Sequence, residues 1–293
     1  MSASKKKAID LVVKENHLLP VTGPLDLNAI ASRPDPGIGK KKGQKQADTD
    51  LVRLQELSYR MFAENRRSLL IVLQGIDASG KNGTTKHLAR GFNPDALNVH
   101  SFGKPSTFEN ERDYLWRVHR VVPRRGNVTV FNRSHYEEVL VVKVHPQILD
   151  GQPLPDEIRA DPRIFETRYR QINEFERMLT ENGTTVVKML LHISREEQLE
   201  RFRDRLEDPD KNWKFDAGDL EQRKYWDDYM TVFGEMIEAT STPYAPWYVV
   251  PADRKWYRNL LVSRLIADRL EGLDMEYPAY ERAAVTLEEL ERS

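Results

Sequence analysis

Three glycines and a lysine, spaced as Gly75-x-x-x-x-Gly80-Lys81 with Gly83 just beyond, are the residues of this chain best suited to holding condensed phosphate. Glycine tolerates positive φ and lets backbone N–H groups approach a ligand closely, so consecutive amides can line one concavity. A helix starting near Lys81 adds the positive end of its dipole, and the lysine ammonium adds a full charge. The spacing follows the pattern G-x-x-x-x-G-K-[ST] as far as the lysine. Asn82 then stands where a hydroxyl is expected, and the hydroxyl arrives two residues later at Thr84, with Thr85 beside it. Ala78 and Ser79 complete the loop. Asp77 lies inside it, and a carboxylate facing phosphates is repulsive unless a divalent cation lies between them, which points to Mg²⁺.

The elements around this loop have the order that phosphate binding requires. An apolar run at 69–73 reads as a strand, and helix-favouring residues after Lys81 run to about Gly91. Before it, Leu51, Leu54, Leu57 and Met61 recur at helical spacing, predicting a helix over 48–65 with Asp48 or Asp50 as N-cap. Further strands are expected at 96–102, 128–131, 185–193 and 247–250. Helices are expected at about 107–121, 162–182 and 253–270, the second punctuated by Asp161, Pro162 and Gly183. Short apolar strands alternating with helices indicate a parallel sheet covered on both faces. In such sheets ligands bind at the carboxyl ends of strands, so the cluster Asn132-Arg133-Ser134-His135-Tyr136-Glu137 after the 128–131 strand should face the crevice of the phosphate loop.

Two segments have a different texture. Prolines, glycines and lysines in RPDPGIGKKKGQKQ argue against regular structure, so 1–47 reads as an extended arm and 48–293 as one domain. After the fourth strand, Arg203, Arg205, Lys211 and Lys214 lie on a helix and loop at about 195–225. They suit a lid closing over phosphate, with an exposed salt-bridged hairpin as the other reading. The tail after Tyr277 is charged and helix-prone.

Composition narrows the function. The 293 residues carry 45 Lys and Arg against 46 Asp and Glu, a net charge of −1, which argues against a dedicated nucleic-acid or membrane surface. There is no cysteine, hence no disulfide, no thiolate chemistry and no cysteine-based zinc site, and the expected compartment is the cytoplasm.

These residues together resemble the polyphosphate kinase 2 family. The likeness spans roughly 48–272 and rests on GIDASGKNGTTK at 75–86, LWRVH at 115–119, FNRSHYEEVLVVKVH at 131–145, RLEDPDKNWKF at 205–215 and STPYAPWYVVPADRKWYRN at 241–259. The resemblance implies a three-layer α/β/α fold of the P-loop, thymidylate-kinase-like type with a helical lid. It also implies reversible phosphoryl transfer between inorganic polyphosphate and AMP, ADP or ATP, with guanine nucleotides as further candidates, and a homodimer or homotetramer. FNRSHYE is similar to the subgroup that accepts both AMP and ADP, in which Glu137 is associated with AMP acceptance. Asn132 stands where many relatives place an aspartate, so Asp77 would carry more of the metal, assisted by Glu137. In this reading Lys81 and the loop amides hold one phosphate group, Arg133 presses on the transferring one, and Arg203, Arg205, Lys211 and Lys214 close the lid. A basic track for the polyanion would draw on Arg117, Arg124, Arg125 and Arg258. No protein nucleophile is needed. An ATP-dependent nucleoside or nucleotide kinase of thymidylate-kinase type, or a catalytically silent nucleotide-binding protein, are the alternatives.

Overall fold

An apolar strand without a polar side must be covered on both faces and flanked on both edges, and Ser68–Gln74 (β1), buried at all seven positions, has both. It is the middle strand of a five-stranded, all-parallel sheet in the computed structural model, which describes residues 20–279 and 287–292. The others are Leu97–Ser101 (β2), Val128–Asn132 (β3), Thr184–His192 (β4) and Trp247–Pro251 (β5), in the spatial order β2-β3-β1-β4-β5. Leu69 pairs with Val128 on one side and Thr185 on the other, which brings the carboxyl ends of β1 and β3 level.

Among the described residues eight helices of eight or more residues surround the sheet. In chain order they are Lys40–Glu64 (α1), Lys81–Ala89 (α2), Glu137–Val144 (α3), Ile164–Glu181 (α4), Arg195–Glu207 (α5), Ala217–Lys224 (α6), Trp226–Thr240 (α7) and Lys255–Glu271 (α8). Shorter helical turns lie between them. Helix α8 packs on α1 and α2, while α3, α4 and α7 pack on one another, giving a helical layer on each side of the sheet.

Local signals account for most boundaries. Ser194 caps α5 by accepting from the Glu197 N–H (3.0 Å), and Asp216 caps α6 by accepting from the Gly218 N–H (2.8 Å). The Asp161 carboxylate and carbonyl accept from the N–H groups of Arg163 and Ile164, so α4 starts two residues after the expected Pro162, and Gly183 at φ +90 ends it. The expected single helix at 107–121 is two helical turns, Thr107–Asn110 and Trp116–His119, the first closed by a capping box between Ser106 and Glu109.

The arm is corrected in two respects. Helix α1 begins at Lys40, eight residues before the expected boundary, with Gly39 rather than Asp48 or Asp50 as its cap. Three lysines in a first turn and a glycine at position 43 both disfavour helix locally. Tertiary packing overrides them: a Cβ on Gly43 would sit 2.3 Å from the Trp256 ring, so the missing side chain is what lets α1 lie against α8. Residues 20–39 are extended but docked. Val21 donates to the Trp247 carbonyl (2.9 Å) along the β5 edge, Leu27 is buried in the core, and Arg254 donates to the Pro34 carbonyl (2.7 Å). Residues 1–19 of the expected arm and 280–286 of the tail lie outside the described residues.

Candidate active site

β1 delivers the chain into the phosphate loop at Gly75 (φ +148), and the loop turns again at Ala78 (φ +63) and Gly80 (φ +105). A Cβ on Gly75 would lie 2.8 Å from the Leu191 carbonyl, and one on Gly80 would lie 2.2 Å from the Arg258 guanidinium, so both positions exclude side chains. Lys81 curls back over the loop, its ammonium donating to the carbonyls of Gly75 (2.6 Å) and Ile76 (3.2 Å). Thr84, expected to present its hydroxyl to the phosphates, is fully buried, and that hydroxyl donates to the Gly80 carbonyl (3.1 Å); Thr85 does the same to Lys81 (3.1 Å). Gly83 sits against the Arg258 guanidinium in the first turn of α2.

The end of β3 meets this loop. Arg133 adopts φ +61, a left-handed conformation that costs a non-glycine residue about 1 kcal/mol or more, and its N–H donates to the Leu73 carbonyl (3.1 Å). Its guanidinium donates to Asp77 Oδ1 (2.7 Å) and lies 3.7 Å from Glu137. Asn132 donates to the Asn82 side-chain oxygen, and Gln74 donates to Ser134 Oγ (3.0 Å). Four contacts thus tie the ends of β1 and β3 into one unit, with Asp77, Arg133 and Glu137 converging on one point.

What holds the strained turn in place lies behind it. His135 and Tyr136 both donate to Glu176 Oε1 on α4 (3.3 and 2.8 Å), while Glu176 Oε2 accepts from Lys188 in β4 (2.5 Å). The Lys188 ammonium also donates to Tyr136 Oη (2.8 Å) and the Thr240 carbonyl (2.7 Å), which satisfies all three of its N–H groups. Burial alone would raise the Glu176 pKa, yet Lys188 and His135 hold it below the ordinary value, while burial lowers the Lys188 pKa against the pull of Glu176. Burial pushes His135 down despite Glu176, and the ring stays neutral. Breaking one side of such a pair leaves an uncompensated buried charge. Glu176→Ala should therefore lose about 3–5 kcal/mol of unfolding free energy in urea melts, and adding Lys188→Met should recover most of it.

A cavity of about 1200 Å³ opens from this point and is lined by Gly75, Asp77, Arg117, Arg133, Glu137 and Asp219, among others. That exceeds what phosphates alone need and is ample for a nucleotide. Arg117 donates to the Gly103 carbonyl (3.0 Å) and stands 5.2 Å from the Phe102 ring. Helix α6 borders the cavity through Gly218, Asp219 and Gln222. Arg205 is paired with Asp219 (2.9 Å), Arg203 with Glu200 (2.6 Å) and Lys211 with Asp208 (2.6 Å), while Lys214 lies 4.9 Å from the Trp213 ring. Arg258, expected on a basic track, is instead buried beneath the loop, donating to the Gly80 carbonyl (3.3 Å).

Several contributors carry no simple sequence signal. Arg201 donates to the carbonyls of Ala78 (2.8 Å) and Ser79 (2.9 Å), and Gln198 to that of Asp77 (2.9 Å), so α5 braces the loop from outside. Lys188 was detectable, since a lysine inside the apolar strand TTVVKMLLH demands a buried acid.

The donors suit a hard divalent cation. Asp77 borders the cavity with one oxygen on Arg133, and burial together with the Asp77 charge raises the pKa of Asp219 despite its pair with Arg205. Among the described residues no cluster of three or more His, Asp or Glu surrounds a common point. Mg²⁺ fits such a set, because it binds through one or two carboxylates plus phosphate oxygens and water.

The charge state of the loop predicts a pH effect. Burial lowers the Lys81 pKa to about 8, with Asp77 pulling the other way. Below that pH the ammonium is present for an incoming polyanion. As pH rises through it, binding must first reload the proton. The KM for a polyanionic substrate at the loop should rise about fivefold from pH 8 to pH 9, while that of a ligand elsewhere in the cavity moves less, as initial-rate measurements across that range would show. Glu137 is shifted upward by burial, against the pull of Arg133 and Lys81.

Comparison with known proteins places this geometry. The model of the family described as polyphosphate kinase 2 matches residues 37–278. The chain is 47% identical to an AMP/ADP-polyphosphate phosphotransferase of Meiothermus ruber over 83% of its own length and 88% of the relative's. It is 43% identical to an ADP-polyphosphate phosphotransferase of Rhodopseudomonas palustris, over 87% and 88%. Among solved structures, polyphosphate kinase 2 from Arthrobacter aurescens superposes with a TM-score of 0.84 at 39% identity, covering 91% of this chain and 92% of that one.

Proposed function

Because the chain belongs to the polyphosphate kinase 2 family, we propose that it catalyses reversible transfer of a phosphoryl group from inorganic polyphosphate to AMP and ADP, forming ADP and ATP. One observation carries this reading: the first residues of the phosphate loop, Gly75 to Asp77, and the Arg133–Glu137 turn line a single cavity large enough for a nucleotide. An oxygen of the acceptor's terminal phosphate attacks the end phosphorus of the chain, a P–O bond forms, the bridging P–O bond breaks, and the chain leaves shortened by one unit. The protein contributes placement and charge rather than covalent chemistry.

In this reading Lys81 and the N–H groups from Gly80 onward hold the polyphosphate end. Arg133 faces both sides of the transfer and neutralises the equatorial oxygens. Asp77, assisted by Glu137, would hold Mg²⁺, which when bound screens the charge between donor and acceptor. Glu137 lines the acceptor's side of the cavity and sets AMP acceptance. Asn132 spans to Asn82 instead of binding the metal. Arg203, Arg205, Lys211 and Lys214 close over the polyanion, and water is excluded as a competing acceptor. We read 195–225 as that lid on a single kinase domain, working in the cytoplasm as a homodimer or homotetramer. Among the described residues no helix is long and apolar enough to cross a membrane.

A donor and acceptor matrix tests the reading: AMP, ADP, GMP and GDP with polyphosphate and Mg²⁺ but no ATP. Formation of ADP from AMP and ATP from ADP is expected; phosphorylation only when ATP is the donor would overturn it.

A further inference from the structure

Arg258 sits under the phosphate loop with 4% of its surface exposed and does not border the cavity. Its hydrogen bonds go to the Gly80 carbonyl (3.3 Å) and to Asn259 Oδ1 (3.2 and 2.8 Å). No carboxylate faces it among the described residues. The nearest charge is another guanidinium, Arg201, which is itself paired with Glu197 (2.8 Å) and donates to the carbonyls of Ala78 and Ser79. Two cations therefore share the underside of the loop with one acid between them.

Peptide geometry transmits this to the other side. In a trans peptide the C=O and N–H point in opposite directions. The Ser79 carbonyl is drawn onto Arg201, and the Gly80 carbonyl, which also accepts from the Thr84 N–H (2.9 Å), faces Arg258, so the N–H groups of Gly80 and Lys81 are directed to the opposite side of the loop. A buried cation without an acid is unfavourable, and burial together with Arg201 lowers the Arg258 pKa to about 10, which still leaves it charged at neutral pH. A methionine of similar length would fill the space without that cost. An anion in the concavity is what offsets it.

We infer that Arg258 is a positioning residue for the polyphosphate end: it fixes the loop amides toward the donor and leaves beneath them a positive charge that only a bound polyanion compensates. The inference rests on the reading of the loop as the donor phosphate site, and it makes Arg258 act through the loop backbone rather than on a track along the surface.

The test uses the full chain, with thermal unfolding measured with and without inorganic tripolyphosphate and no nucleotide, alongside initial rates. Arg258→Met should unfold within a few degrees of wild type when alone, yet lose more than about half of the shift that tripolyphosphate gives wild type. Its KM for polyphosphate should rise about tenfold with kcat changed less than about threefold. Arg258→Lys should regain part of the shift. Should the methionine variant not fold, Arg258→Gln, which keeps a donor for Gly80 but no charge, makes the same comparison. A lowered unfolding temperature with a full-sized tripolyphosphate shift would show a packing role and overturn the inference. Absence of any shift in wild type would overturn the reading of the loop itself.

Discussion

Lys81→Met should lower kcat by about a hundred- to a thousandfold while leaving the unfolding temperature equal to or above that of wild type. The size follows from where charge develops: the transferring phosphoryl group carries its charge on three equatorial oxygens, and removing one preorganised cation in a water-poor site is worth about 10²–10³ in rate. Lys81 has a second role, since its binding to the carbonyls of Gly75 and Ile76 keeps those groups from repelling phosphate. The stability half follows from burial. An ammonium whose pKa is pushed down to about 8 destabilises the fold as long as it is charged, and methionine removes that cost. Initial rates with polyphosphate and ADP, beside a calorimetric melt, check both halves. A rate within tenfold of wild type would remove Lys81 from the mechanism.

Asp77→Asn should reduce turnover about as severely, and raising Mg²⁺ to tens of millimolar should not restore it. The amide keeps the shape and the contact to Arg133 but gives up the charge that holds a hard cation. It also lowers the Asp219 pKa, because the Asp77 charge is one cause of its rise. The sign is definite: with Asp77 gone, the acid limb attributable to Asp219 should move to lower pH, a change visible by carbon-13 NMR of the aspartate carboxyls without any turnover. A variant that recovers more than about a tenth of wild-type rate in excess Mg²⁺ would show that the cation is held elsewhere.

The sheet was legible because its strands are short apolar runs ending in polar clusters, and the loop because Gly75, Gly80 and Lys81 keep a fixed spacing. All five strands lie within two residues of where periodicity puts them. What escaped is what depends on contacts between distant positions. Local propensity disfavours a helix through Lys40–Gly43, and packing against α8, with the Trp256 ring over Gly43 more than two hundred positions later, overrides it. Helix α7 and the short helices after α3 follow from packing more than from punctuation. In the site, residue types were readable but partners were not. An arginine near the end of a strand–helix connection reads as a surface cation, and nothing local shows that Arg258 turns inward beneath Gly80. Lys188 is the converse case, a charge whose sequence context announces burial without naming Glu176.

The ionic knot behind the Arg133 turn also bears on how the chain acquires its competence. Its members come from the third strand's exit, the fourth helix, the fourth strand and the end of the seventh helix, with Trp247 donating to Thr240 Oγ1 beneath them. A polypeptide still emerging from the ribosome can brace its phosphate loop only once Arg201 and Arg258 are released, and can lock the arginine opposite only once residue 240 is. Both halves of the reaction centre therefore take their supports from the C-terminal third of the chain.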